Sequence, residues 1–246
     1  MNQDVEFSLI VGVPVKLNDV CSIHIPTLKE IAEIGFINYQ THIYYLLLPR
    51  SEFMKMVTVD ENHLDEFNKM SDFEIYSTVC IGYPQLTDVV LQALEYFTKC
   101  KVSFSDGIFL ISTETSSFPL SEEQFVFIQD IIRIANGIEK DTEEEDFNPA
   151  NEMAKKFMDM IKKNKKKQPK KKEKINLISV ISSLRWKSCE SENIFNMTVY
   201  QLYDGFSRLK AIDDYHYTLT GLYSGTVDHK KTNPSDIHWA NIIKNK

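Results

Sequence analysis

The stretch EKDTEEEDFNPANEMAKKFMDMIKKNKKKQPKKKEK, residues 139–174, divides this chain of 246 residues into two parts. Its first third is acidic and its last third is almost entirely lysine. Each block repels itself and offers few apolar side chains to repay the entropy of ordering it, so we interpret the stretch as a solvated linker. Between the blocks, Asn148 as a cap, Pro149 and apolar residues at helical spacing predict one short helix.

The basic block of the linker has two interpretations. Its lysines are Lys162, Lys163, Lys165, Lys166, Lys167, Lys170, Lys171 and Lys172, followed by Lys174. They could hold nucleic-acid phosphates by releasing counterions, but the block lacks the arginines and interleaved aromatic residues that stack on bases. The formal net charge is −7 even with these lysines included, so the remainder of the chain taken together is acidic. A soluble linker is therefore the simpler interpretation, and nucleic-acid binding stays an alternative.

Residues 1–138 read as a mainly helical α+β body. The apolar run FSLIVGVPV, residues 7–15, predicts a strand. Thr27 with Glu30 and Ser121 with Gln124 have the spacing of capping boxes, which predicts that a helix begins at each. The dipeptide Asp106-Gly107 tolerates the positive φ angles of a tight turn and predicts a β-hairpin among these helices.

Residues 175–246 read as a small helical C-terminal domain. Apolar residues at helical spacing predict a helix over 175–186, and Thr198 with Gln201 forms a third capping box at the start of a further helix. The segment 234–239 predicts a short terminal helix. A domain of this size buries too little surface to be strongly stable alone, so an exposed aromatic face on it would favour a partner. The candidate partner-binding residues are Tyr200, Tyr203, Phe206 and Trp239, although such a stripe can equally be core.

Motifs for catalysis are missing from the sequence. It contains no phosphate-binding glycine loop, no HExxH and no GxSxG, so we expect neither an enzyme nor a small-molecule substrate, cofactor or metal. The histidines and aspartates near the C-terminus match no metal-ligand spacing. The cysteines Cys21, Cys80, Cys100 and Cys189 are widely spaced, which favours reduced thiols. Neither a secretion signal nor an apolar run long enough to span a bilayer is present, so we expect no membrane association.

The order of these features resembles the tail assembly chaperones of tailed bacteriophages, which are encoded between the tail tube and tape measure genes. Three stretches carry the resemblance. They are HIPTLKEIAEIG (24–35), the charged linker, and MTVYQLYD (197–204) with the closing DIHW (236–239). None of them is a catalytic signature.

The resemblance implies a non-enzymatic factor that coats the tape measure protein while tail tube subunits polymerise around it. It implies self-association as a further possibility, action in the host bacterial cytoplasm, and absence from the mature virion. It also implies a shorter product made by frameshifting, for which the lysine codons of the linker could supply a slippery site. Two alternatives from other classes stay open, a structural tail or neck component and a nucleic-acid-binding protein that acts through the lysines.

Overall fold

The computed structural model describes residues 2–50, 52, 69–138, 177–188, 194–228 and 232–241. The helices among them are α1 (Gln3–Val11), α2 (Leu28–Ile34), α3 (Phe36–Leu46), α4 (Asp72–Gly82), α5 (Pro84–Thr98), α6 (Glu122–Asn136), α7 (Leu177–Ser188) and α8 (Val199–Tyr223). The strands are β1 (Val15–Lys16), β2 (Ser22–Ile23), β3 (Lys101–Ser105), β4 (Ile108–Ser112) and β5 (Ser117–Pro119). The predicted linker, with its lysines and its short helix, lies outside the described residues, and so does Cys189.

The predicted fold class, α+β and predominantly helical, is confirmed. The strands form two small antiparallel sheets, one of β1 and β2 and one in the order β3-β4-β5. The predicted hairpin joins β3 to β4 and turns at Asp106 (φ 52°) and Gly107 (φ 80°). Its inward side chains, among them Phe109 and Ile111, are fully buried beneath the helices. The sheets thus cover part of a helical core.

The helix starts that the sequence predicted are also confirmed. The side chains of Thr27, Ser121 and Thr198 each accept a hydrogen bond from the backbone N–H three residues on, and the acidic or amide side chain there bonds back. Ser71 caps α4 in the same way with Glu74. These reciprocal bonds satisfy donors that would otherwise be left open at each helix N-terminus.

The prediction of a strand over residues 7–15 is wrong, because most of this stretch belongs to helix α1. The side chain of Asn2 caps it by accepting from the N–H of Asp4, and Gly12 ends it in the left-handed conformation (φ 81°). Asp4 and Glu6 in the first turn also favour the helix through its dipole. A nearly continuous apolar run fits either state by its period, and here the two caps decide for the helix.

The buried residues of both parts of the chain form one hydrophobic cluster. Leu177, Val180 and Leu184 of α7, together with Val199 and Leu202 of α8, join the cluster that the body builds. Helix α8 contacts α1, α6 and α7. The described part of the tail is therefore packed on the body. The boundaries proposed at 138 and 175 stay predictions, since the residues between them are not described.

Backbone hydrogen bonds join body and tail at what we call the seam, residues 26–29 and 195–199. The N–H groups of Leu28 and Lys29 open helix α2 and have no acceptor within it; they donate to the carbonyls of Met197 (3.1 Å) and Phe195 (3.0 Å). In return, the N–H of Val199 donates to the carbonyl of Pro26 (3.2 Å). The tail therefore completes the first turn of a body helix, and the body does the same for α8.

Candidate partner-binding surface

The predicted aromatic stripe lies at the start of α8, where the helix meets the core. Tyr200 is only 5 % exposed, and burial, with Asp204 and Glu6 nearby, raises the pKa of its phenol. Tyr203 and Phe206 are partly buried and pack against the same core. The sequence left open whether this stripe is core or binding surface, and in this conformation Tyr200 is core. A partner-binding role for the stripe stays a prediction.

Helix α8 continues well beyond the part that the body covers. Its 25 residues make it about 37 Å long at a rise of 1.5 Å per residue. The last of its side chains that packs against the main core is Leu209. Further on, Tyr217 is 77 % exposed and Tyr223 is 84 % exposed. Large aromatic side chains so far out of the core are unusual in a chain that has a core to place them in.

The C-terminal segment 232–241 folds back onto α8 at Arg208 and Tyr215. The guanidinium of Arg208 donates from Nη1 to the carbonyls of Trp239 (3.1 Å) and Asn241 (2.8 Å). The ring of His238 lies 5.1 Å from that of Tyr215 and stacks on Trp239 at 5.4 Å. The segment forms turns, so the predicted terminal helix over 234–239 is wrong. Pro234 begins the first turn. The side-chain amide of Asn241 donates to the carbonyls of Ser235 and Asp236 and so closes the segment.

The fold thus brings Trp239 to the helix that carries the predicted stripe, and leaves it 43 % exposed. We use the name aromatic surface for the exposed side chains of Tyr217, Tyr223 and Trp239, which lie on different sides of the distal part of α8. Sequence reasoning missed Tyr217 and Tyr223 as site residues. No local signal separates them from core residues, because apolar residues continue at helical spacing beyond Leu209, at Ile212, Tyr215, Leu219 and Leu222.

Charged side chains of both signs lie near the aromatic surface. Asp213, Asp214 and Asp236 lie on α8 and the C-terminal segment, and Asp213 forms an ion pair with Lys187 of α7. Asp214 and Asp236 are exposed, and Lys210 is an exposed base one turn before Asp214.

Groups that could support other chemistry are sparse among the described residues. They contain no cluster of three or more histidine, cysteine or acidic side chains that could hold a metal ion. An open groove of about 430 Å³ runs between Asn18–Val20 and strand β5, and its lining is mostly serine, amide and apolar side chains. Within the described ranges, no helix is both long enough and apolar enough to cross a membrane.

Comparison with known proteins gives a match to a family model. Residues 165–244 match the family model described as the YomV second domain, a phage-derived family of Bacillus prophage origin. The matched range contains α7, α8 and the C-terminal segment, and therefore the whole aromatic surface. The match covers 80 of the 246 residues and shows a phage-associated domain family over that part of the chain. Neither the curated proteins nor the solved structures contain a significant match to this chain.

Proposed function

We propose that this protein is a non-enzymatic phage tail assembly chaperone that binds the tape measure protein in the host cytoplasm and helps to recruit tail tube subunits. The observation that carries the proposal is the aromatic surface within the segment that matches a phage-derived family. The resemblance of the three stretches given above supports the same assignment. The proposal includes neither a substrate nor a cofactor.

In this proposal, α8 presents its distal half to amphipathic helices of the tape measure protein. Helix-in-groove pairing is read through anchors spaced three or four residues apart, and tyrosine and tryptophan are the side chains that most often provide the binding energy of such contacts. Tyr217 and Tyr223 lie near the far end of the helix, about 120° apart around its axis, so they would act as separate anchors. Trp239 is held beside the helix by Arg208.

The body would supply the other contacts. Its helix α1 exposes Phe7, Ile10 and Val11, which follow one another at spacings of three and one along a helix and so share a stripe. Such a stripe could serve self-association or contact with tail tube subunits. The direct contact between α1 and α8 would hold this face in a fixed position relative to α8.

Co-expression with the tape measure protein tests the binding surface. The double substitution Tyr217→Ser with Tyr223→Ser should abolish co-purification, because it removes two exposed anchors without touching the core. Tyr44→Ser is the matched control, since Tyr44 is an exposed tyrosine on body helix α3 and its replacement should leave co-purification intact. Undiminished capture by the folded double variant would refute this surface.

Mass spectrometry of purified phage particles separates the chaperone from the main alternative. A chaperone should be absent from particles, whereas a structural tail or neck component, which a phage-derived family equally allows, should be present in stoichiometric amounts. A gel-shift measurement with DNA and RNA checks the remaining alternative. Binding with a steep salt dependence that is lost when residues 162–174 are deleted would favour the nucleic-acid-binding protein.

A further inference from the structure

Two thiols in the body lie close enough to react with each other. Sγ of Cys21 is 3.9 Å from Sγ of Cys100, although the two residues are 79 positions apart in the chain. Both are free, Cys21 being buried and Cys100 partly exposed. A disulfide bond is about 2.05 Å long, so the sulfurs need to approach by only about 2 Å. The third described cysteine, Cys80, is buried and has no sulfur contact of this kind.

We propose that Cys21 and Cys100 are a redox-active pair that closes to an intramolecular disulfide on contact with a low-molecular-weight disulfide. The resting form is the dithiol, in agreement with the reduced state that the sequence favours. The proposal concerns the body of the chain and does not depend on the chaperone function.

The reaction consists of two thiol–disulfide exchanges. The thiolate of Cys100 attacks one sulfur of the oxidant RSSR, which forms a mixed disulfide at Cys100 and releases RS⁻. Cys21 then gives up its proton and its sulfur attacks the Cys100 sulfur, which displaces the second RS⁻. Two electrons and two protons pass to the oxidant, which leaves as two RSH molecules, and one bond forms between Cys21 and Cys100.

The different exposure of the two thiols indicates which of them attacks the oxidant first. Cys100 is the more exposed of the two thiols, so an oxidant in solution reaches it first. Burial, the neighbouring Cys100 and its hydrogen bond raise the pKa of Cys21 to about 12, so Cys21 is a poor nucleophile toward a soluble reagent. Once a mixed disulfide has formed next to it, the closeness of the two sulfurs offsets this disadvantage.

The disulfide would link two body segments that support the seam. From Cys21 the chain runs through His24, whose N–H donates to the carbonyl of Phe97 (2.7 Å), directly to Pro26 and Thr27 of the seam. On the other side, Lys99 precedes Cys100 and lies 3.4 Å from Oε1 of Glu30. Glu30 in turn completes the capping box of Thr27. A Cys21–Cys100 disulfide would therefore tie together two segments that both support the body side of the seam.

Peptide mapping of the full chain tests the pair directly. The chain carries Cys189→Ser so that the cysteine outside the described residues cannot compete. After incubation of the native protein with oxidised glutathione, non-reducing mass spectrometry should show a peptide that links Cys21 to Cys100, two hydrogen masses lighter than its parts and restored by dithiothreitol. The midpoint of thermal unfolding should rise by about 5 °C or more in the linked form, because a long loop has been closed.

Serine variants of the three described cysteines serve as controls. Cys80→Ser should retain the linked peptide, whereas Cys21→Ser and Cys100→Ser should lose it and its effect on the midpoint. Glutathione attached to Cys100 without any link to Cys21, or a link that forms only in denaturant, would overturn the pair. A link that forms without raising the midpoint would overturn its role as a fastening of the seam. Whether the link between Cys21 and Cys100 forms is decided in the chain that keeps both cysteines, so poor folding of a Cys21 or Cys100 variant does not affect that result.

Discussion

Thr27 and Thr198 are far apart in the sequence and cap different helices, yet their backbones pair as an antiparallel bridge. Each hydroxyl accepts the N–H of the third residue of its own helix, Glu30 for Thr27 and Gln201 for Thr198. Two capping boxes therefore stand side by side, one from the body and one from the tail. The N–H groups of Leu28 and Lys29 in α2 and of Val199 in α8 donate to carbonyls of the other part of the chain.

The first prediction concerns Thr198. Its replacement by alanine removes a buried cap at the start of α8 and should lower the free energy of unfolding by about 1–2 kcal/mol. Thr220→Ala is the matched control in the same helix, because Thr220 is exposed and its hydroxyl donates only to the carbonyl of His216. That change should be within about 0.5 kcal/mol of neutral. Urea unfolding measures both, and equal losses would contradict a special role for the seam.

The second prediction concerns Gly12, where α1 ends beside α8. A β-carbon at Gly12 would lie 2.8 Å from Nε2 of Gln201, and that nitrogen donates to the carbonyl of Ile10 (2.9 Å). Gly12→Ala should therefore cost the strain of a positive φ and in addition about 1 kcal/mol for the displaced hydrogen bond.

Gly137→Ala measures the cost of the positive φ alone. Gly137 also ends a helix in the left-handed conformation (φ 62°), but nothing lies within 4 Å of the β-carbon that alanine would add. Denaturant unfolding of both variants gives the difference. If Gly137→Ala is as destabilising as Gly12→Ala, then Gln201 does not hold α1 to α8.

The third prediction separates core tyrosines from surface tyrosines on α8. Tyr200→Ala empties a buried site and should lower the free energy of unfolding by about 3 kcal/mol. Tyr217→Ala changes an exposed side chain and should alter it by less than about 0.5 kcal/mol. Calorimetry or urea unfolding measures both. A large loss at Tyr217 would mean that the aromatic surface is part of the chain's own packing.

The fourth prediction concerns pH. Burial lowers the pKa of His42 below its ordinary value of 6.5, and Nδ1 of this ring is buried without a hydrogen-bond partner among the described residues. The unfolded chain therefore takes up the proton at a higher pH than the folded chain does. Stability should fall as the pH drops through 6.5 toward the lowered pKa, and it should be independent of this residue above that range.

Urea midpoints between pH 7.5 and 5.5 check this prediction. His42→Gln, which cannot be protonated, should show a shallower decline than the parent chain, with the two curves parallel at the alkaline end. Some decline should persist because burial, with a contribution from Lys99, also lowers the pKa of His24. Identical slopes in parent and variant would show that His42 is not the group responsible.

The sequence by itself determined the elements whose signals are local. Capping boxes at Thr27, Ser121 and Thr198 and the turn at Asp106-Gly107 depend on residues within a few positions of one another, so spacing alone reveals them. The α+β class follows from the same signals. The prediction of a strand over residues 7–15 was wrong because hydrophobic periodicity cannot distinguish a short buried strand from an apolar helix.

Only the tertiary structure decided which aromatic side chains are core and which are surface. Tyr200 and Tyr217 have the same side chain on the same helix, and no local pattern tells them apart. Burial depends on how far the body reaches along α8, and the seam and the contact with α1 set that distance. The closeness of Cys21 and Cys100 is likewise a product of chain packing, since segments distant in sequence meet only once the common core has formed.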